Sequence, residues 1–157
     1  TLGCDACTVA PYMGRDAVEP FLQYADKAAF VLARTSNPGS SDFQERSVDG
    51  EPLYLKVARR TRDWAGNAAG TGGLVVGATQ PKSIRELRDA CPDLPFLLPG
   101  VGAQGGDPVA AVEAGTRGSA PILINSSRSI IYASDGKHFA RDAGDAAEKL
   151  RRQLIIE

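Results

Sequence analysis

Five short apolar runs recur along the chain: ACTVA (6–10), AAFVLA (28–33), GLVVGA (73–78), PFLLPG (95–100) and APILINS (120–126). Each is too short for a helix and reads as a strand buried on both faces. Stretches with helical spacing separate them. Residues 16–25 form one, with Phe21 and Leu22 turned inward, and residues 51–69 a longer one carrying Leu53, Leu55, Val57 and Trp64. Residues 83–91 form a third, opened by Ser83 with Glu86 three residues on, the pattern of a capping box. Residues 107–114 form a fourth, with Asp107 placed to cap it and Pro108 at its first turn. Residues 139–154 close the series with Ala143, Ala147, Leu150 and Leu154 on one stripe. Buried strands alternating with helices predict an α/β fold with a parallel sheet.

Length sharpens this. Five strand–helix units in 157 residues is about 31 residues per unit, and a closed eight-stranded barrel of such units needs roughly 250. The chain is therefore about three units short of a closed (β/α)8 barrel, while an open doubly wound sheet would also fit. Turn-forming residues gather after the strands, in RTSNPGSSDF, ATQPKS, PGVGAQGGDP and NSSRS. Parallel α/β folds bind ligands at that carboxyl edge.

Bulk properties remove several classes of function. The formal net charge of −1 gives no basis for a nucleic-acid surface. Arg59, Arg60 and Arg62, and Arg151 with Arg152, fall in helical stretches and read as solvated faces. No run of about 18 apolar residues is present to span a membrane, and no basic-then-apolar leader opens the sequence. Three cysteines, Cys4, Cys7 and Cys91, fit a reduced cytoplasmic protein. The Cys4–Cys7 spacing lacks the strand-to-helix setting of a redox pair and the second pair of a zinc site, so no metal is expected. The single histidine, His138, lies in the polar segment SDGKHFARD and reads as a surface residue.

Gly100, Gly102 and Gly105 match the glycine spacing of a dinucleotide-binding turn. That turn needs an unbroken strand before it and an acidic residue at the end of the next strand. Pro99 interrupts the first, and the second ends in Asn125-Ser126-Ser127-Arg128, so a nicotinamide cofactor is excluded. Glycines permit close approach and unusual dihedrals, so residues 100–106 are expected to expose backbone N–H groups. With Ser127 and Arg128 on the following loop, the pair of loops matches the phosphate site of phosphate-binding barrels. Arg128 would supply a planar, fixed positive charge.

Together, DACTVAPYMG, FVLARTSNPGSSDFQ, GLVVGATQP, FLLPGVGAQGGDP and INSSRSIIYAS resemble the orotidine 5′-phosphate decarboxylase family, in its bacterial form marked by TSNPGS. The resemblance spans residues 5 to 134. It implies a TIM barrel cut to its last five units (family strands 4 to 8), a single domain over residues 1–157, and normally a homodimer. It implies decarboxylation of orotidine monophosphate to uridine monophosphate, within cytoplasmic pyrimidine synthesis, without metal or organic cofactor. It places Ser36 at the pyrimidine amide edge, Pro99 against the base, and Gln104 between base and phosphate. Arg128 and the Ser127 backbone N–H take the phosphate. Thr35, Asn37, Thr79 and Gly102 are implied as further substrate contacts in the same loops.

One departure outweighs these matches. The family's chemistry belongs to an Asp-x-Lys-x-x-Asp segment, and none of the five lysines here satisfies it. The nearest approach, Asp135-Gly-Lys137-His-Phe-Ala140, lacks the last aspartate and follows the final strand. Ala10 stands where the family pattern leads one to expect asparagine. No catalytic residue is therefore assigned, and this chain alone is expected to be inactive. Without the lysine, nothing stabilises the ring carbanion left by decarboxylation or returns its proton. A second reading is a non-catalytic phosphate- or nucleotide-binding module that self-associates through open sheet edges. A third, another phosphosugar decarboxylase of the same superfamily, is disfavoured by TSNPGS and Gln104.

Overall fold

The computed structural model describes residues 3–102 and 105–155. Strands β1 (Ala6–Val9) and β2 (Ala28–Arg34) are followed by a small antiparallel hairpin, β3 (Ser47–Val48) and β4 (Glu51–Pro52). Strands β5 (Thr71–Val76), β6 (Phe96–Pro99) and β7 (Ile122–Asn125) complete the main sheet. Its order is β1-β2-β5-β6-β7, all parallel, so neighbours in the sheet follow one another in the chain. A doubly wound sheet would reverse its strand order part-way. This one never does, and its winding is that of a barrel.

The helices are α1 (Arg15–Val18), α2 (Leu53–Ala65), α3 (Pro81–Ala90), α4 (Pro108–Gly115), α5 (Arg128–Ile131) and α6 (Phe139–Leu154). Alternation along the strands decides what they cover. Ala33, Leu74, Val76, Phe96 and Leu98 form one core with Tyr54 and Ala58 of α2, Ile84 and Leu87 of α3, and Ala111 and Ala114 of α4. Ala29 and Val31 pack with Val18 and Leu22 in a second. The helices that build these cores thus lie on one face of the sheet. Burying one such leucine, isoleucine or phenylalanine is worth about 1.5–3 kcal/mol, and Leu98→Ala would cost about 2–5 kcal/mol.

β2 and β5 are largely buried on both faces as expected, β6 is buried on one face and half-buried on the other, and the outer two strands are more exposed. β1 is exposed along Ala6, Cys7 and Thr8, and Leu123 of β7 is 48% exposed. Each outer strand has a neighbour on one side only, a tertiary fact that an apolar run does not carry.

Local sequence explains other differences. The helix expected over 16–25 is broken into α1 and a 3-10 turn over Glu19–Leu22. Pro20 lacks an N–H and its ring crowds the preceding turn. Leu22 is buried, but Phe21 is 45% exposed. The second helix starts at Leu53 because Glu51 and Pro52 pair with Val48 and Ser47. Asp49 and Gly50 between them both have positive φ (54° and 87°), the two-residue hairpin turn that an Asp-Gly pair favours. The buried face of α2 is Tyr54, Ala58 and Thr61, with Leu53, Leu55, Val57 and Trp64 only half-buried. Ser83 is not a cap: α3 begins at Pro81, and Glu86 accepts a hydrogen bond from the Tyr54 hydroxyl. Burial and that contact push the Tyr54 phenol up to about 12. Asp107 does cap α4, accepting from the N–H groups of Val109 (2.9 Å) and Ala110 (3.3 Å). α6 runs over Phe139–Leu154 as expected, its stripe half-buried.

One buried charge is structural. Arg88 donates to the carbonyls of Leu94 (2.7 Å) and Gly115 (2.8 Å), and its guanidinium lies 3.7 Å from the centre of the Phe96 ring. It ties α3 to the start of β6 and the end of α4.

Candidate functional site

Four loops leave the carboxyl edge of β2, β5, β6 and β7, and they make two clefts. The first is lined by Thr35, Ser36, Asn37 and Thr79, together with Arg34 and Ser40. The second is lined by Pro99, Gly100, Val101, Asn125, Ser126, Ser127 and Arg128. Strand-end hydrogen bonds join their roots. Gly77 N–H donates to Arg34 O (2.7 Å) and Ala78 N–H to Pro99 O (2.9 Å). Of the residues expected at the site, Thr35, Ser36, Asn37 and Thr79 are thus together, as are Pro99, Ser127 and Arg128. Gly102 borders the second cleft. Gln104 lies outside the described residues.

Side chains build the first loop. The buried Arg34 donates to Thr35 O (2.8 Å) and Ser40 Oγ and pairs with Glu45. Gln44 Oε1 accepts the Thr35 N–H (2.8 Å), and Gln44 Nε2 donates to Thr35 Oγ1 (2.8 Å). The Thr35 hydroxyl donates on to Asn37 Oδ1 (2.6 Å). Ser36 Oγ is buried and has no hydrogen-bond partner among the described residues. Arg34 and Gln44 were not singled out from the sequence. A charged residue ending an otherwise apolar strand was the available signal for Arg34. Gln44 acts across nine residues and left none.

Glycine backbone builds the second. Gly100, Gly102 and Gly105 all have positive φ (100°, 85° and 80°), which accounts for their spacing. The expected row of free N–H groups is only partly present. Gly105 N–H donates to Gly102 O (2.8 Å), Gly106 N–H to Gly100 O (3.3 Å) and Gly102 N–H to Gly106 O (3.4 Å). The loop closes on itself and spends those donors. Ser127 and Arg128 N–H donate to no backbone carbonyl among the described residues. Ser126 is tied to Val101 O (3.1 Å) and to Ser129 Oγ (2.6 Å), which fixes the loop after β7 against the loop after β6. Arg128 is exposed, with no carboxylate within ion-pairing distance among the described residues. The N-terminus of α4 is already taken by the Asp107 carboxylate, leaving no place there for a dinucleotide pyrophosphate.

The remaining candidates fall elsewhere. Lys27 pairs with Asp5 and Asp26 before β2, Lys56 pairs with Asp49, and Lys82 pairs with Glu86 on α3. Lys137 and Lys149 lie near and within α6. His138 is exposed. Cys4 and Cys7 are exposed free thiols, while Cys91 is buried, its thiol pushed up to about 11 by burial. Arg59, Arg60 and Arg62 pair with Glu51, Asp63 and Asp93 along a solvated helix face. No helix among the described residues is long and apolar enough to cross a membrane.

The family model described as orotidine 5′-phosphate decarboxylase / HUMPS matches residues 1–143. The chain belongs to this family. The orotidine 5′-phosphate decarboxylase of Roseiflexus castenholzii is 53% identical over 154 residues, covering 96% of this chain and 56% of that protein. The chain spans about half the length of the curated relatives it matches. Among solved structures, UMP synthase of Leishmania donovani superposes with a TM-score of 0.83 at 42% identity, covering 97% of this chain and 33% of that one. The OMP decarboxylase of Leishmania donovani gives 0.78 at 38%, covering 98% and 58%. The five parallel strands are thus part of a TIM barrel.

Proposed function

We propose that this chain binds a pyrimidine nucleotide, orotidine 5′-phosphate or its product uridine 5′-phosphate, across the two clefts. Arg128 and the Ser127 N–H take the phosphate, Pro99 and Ser36 face the base, and Gln104 bridges them. Thr35, Asn37, Thr79 and Gly102 shape the walls. The observation that carries this reading is Arg128, an exposed guanidinium without a carboxylate partner among the described residues, beside the unspent N–H groups of Ser127 and Arg128 on the loop after β7. A planar fork of donors suits a phosphate dianion. Phosphate binding energy serves the reaction only where it organises groups that act in the transition state. The Asp-x-Lys-x-x-Asp segment is absent from these 157 residues. We therefore assign the chain the binding half of a cytoplasmic decarboxylase of pyrimidine synthesis, with no turnover of its own. The single-neighbour strands β1 and β7 and the exposed Leu123 favour association through the sheet edges, as a homodimer or with complementary strands.

The test is a titration with uridine monophosphate beside an assay of orotidine monophosphate loss over a wide range of protein concentration. Binding without turnover is expected. Turnover at an ordinary enzymatic rate would overturn the assignment, and so would failure to bind the nucleotide.

A further inference from the structure

We infer that Gln44 is a positioning residue for pyrimidine recognition, acting through Thr35 on Ser36 and Asn37 without touching the ligand. The inference rests on the nucleotide-binding reading above. Ser36 makes no side-chain hydrogen bond of its own among the described residues, and its hydroxyl is buried although the residue lines the cleft. A buried hydroxyl without a partner is unfavourable, and a ligand that pairs with it recovers that loss. Its position must therefore come from its neighbours.

Two neighbours supply it. Gln44 grips Thr35 twice, at the backbone N–H and at the hydroxyl. The direction of this chain of bonds is fixed. Because Gln44 Oε1 accepts a backbone N–H, its Nε2 must face Thr35 Oγ1. The hydroxyl, already accepting, sends its one proton to Asn37 Oδ1. That bond turns the Asn37 oxygen inward and leaves its amide NH2 as the outward donor. Asn37 then offers an amide that donates, and beside it Ser36 carries a hydroxyl, buried against Gly77, that a turn about its χ1 would bring to the ligand. This combination suits a ring edge of alternating carbonyl and N–H groups. Beneath them lies Gly77. A Cβ there would overlap Ser36 Oγ and sit 2.9 Å from Ser36 N, so the serine occupies space only a glycine leaves. Gly77 does not have a positive φ, and its requirement is purely one of room.

The readout is the ratio of affinities for uridine monophosphate and ribose 5-phosphate, which isolates the base. Gln44→Leu is expected to lower that ratio roughly tenfold, the scale of one well-placed hydrogen bond to a buried group, with ribose 5-phosphate affinity unchanged. Gln44→Glu still accepts the Thr35 N–H but has no proton for Oγ1. It should release Asn37 and fall between wild type and Gln44→Leu. Thr35→Val removes the same relay, so Thr35→Val with Gln44→Leu should lose little more than either alone. Should Gln44→Leu fail to fold, Gln44→Glu and the near-isosteric Thr35→Val carry the test. An unchanged ratio in the folded variants, or fully additive losses, would overturn the inference. A wild-type chain that binds neither ligand would instead overturn the nucleotide reading itself.

Discussion

The loops after β2 and β6 stand on the same edge of one sheet, yet they are built from opposite materials. The first, over residues 35–46, is held by side chains: a buried arginine, a glutamine amide and two hydroxyls. The second, after β6, is held among its described residues by its own carbonyls, with three glycines at positive φ. A ring edge must be met by a few groups pointing in fixed directions, and side chains locked by other side chains supply that. A phosphate needs close approach and positive charge, which in the proposed reading come from bare backbone and from Arg128.

The sharpest way to break this contrast is Arg128→Ala. Losing a charge-assisted contact should weaken uridine monophosphate and ribose 5-phosphate alike by about 10- to 100-fold, a change of roughly 1.5–3 kcal/mol. The preference for the base should survive in the ratio of the two. Isothermal titration with both ligands reads this directly, and a selective loss of uridine monophosphate binding would erase the division of labour. Gly102→Ala comes next. Its φ of 85° strains any other residue, and a Cβ would sit 2.8 Å from Ser129 Oγ. A stability loss of about 1–2 kcal/mol in a urea melt and a several-fold weaker ribose 5-phosphate affinity are expected, again with the base preference intact.

The smallest effect separates the loops by pH. The Tyr54 N–H donates to Gln44 O (3.0 Å), so the first loop leans on this tyrosine, whose phenol is raised to about 12 in the fold. A raised folded value means its contribution is complete below the ordinary value near 10 and is lost as pH rises toward 12. Between pH 10 and 12, wild type should therefore lose stability faster than Tyr54→Phe in parallel melts. Parallel curves would show that the first loop does not depend on the tyrosine's protonation.

Elements written in local pattern were legible in the sequence. The central strands, the Asp107 cap with Pro108, and α6 follow from short apolar runs, one acidic residue before a proline, and a helical stripe. Ser127 and Arg128 were singled out because they follow a strand, and Ser36, Asn37 and Pro99 through the family resemblance; all five line the two clefts at the strand ends. The rest depended on distance or competition. The Asp49–Gly50 turn was a visible hairpin signal masked by the apolar residues of the helix after it. Ser83 fitted a cap in isolation, but Pro81 starts the helix earlier and Tyr54, 32 residues from Glu86, takes that carboxylate. Gln44 reaches back nine residues to Thr35, a pairing no periodicity reveals. The glycine loop was placed correctly and its donors misjudged, because closing a tight ring consumes the N–H groups that an open loop would display.

Strand order that equals chain order gives the molecule the character of a stack. Every interface within the main sheet lies between consecutive units, as in a solenoid, so stability is passed from neighbour to neighbour. The outermost units have one interface each and fray first, while β2 and β5, buried between two neighbours, come apart last. Such a stack lengthens or shortens at its ends without rethreading its middle, which makes the strand–helix unit the natural step by which a fold of this kind grows.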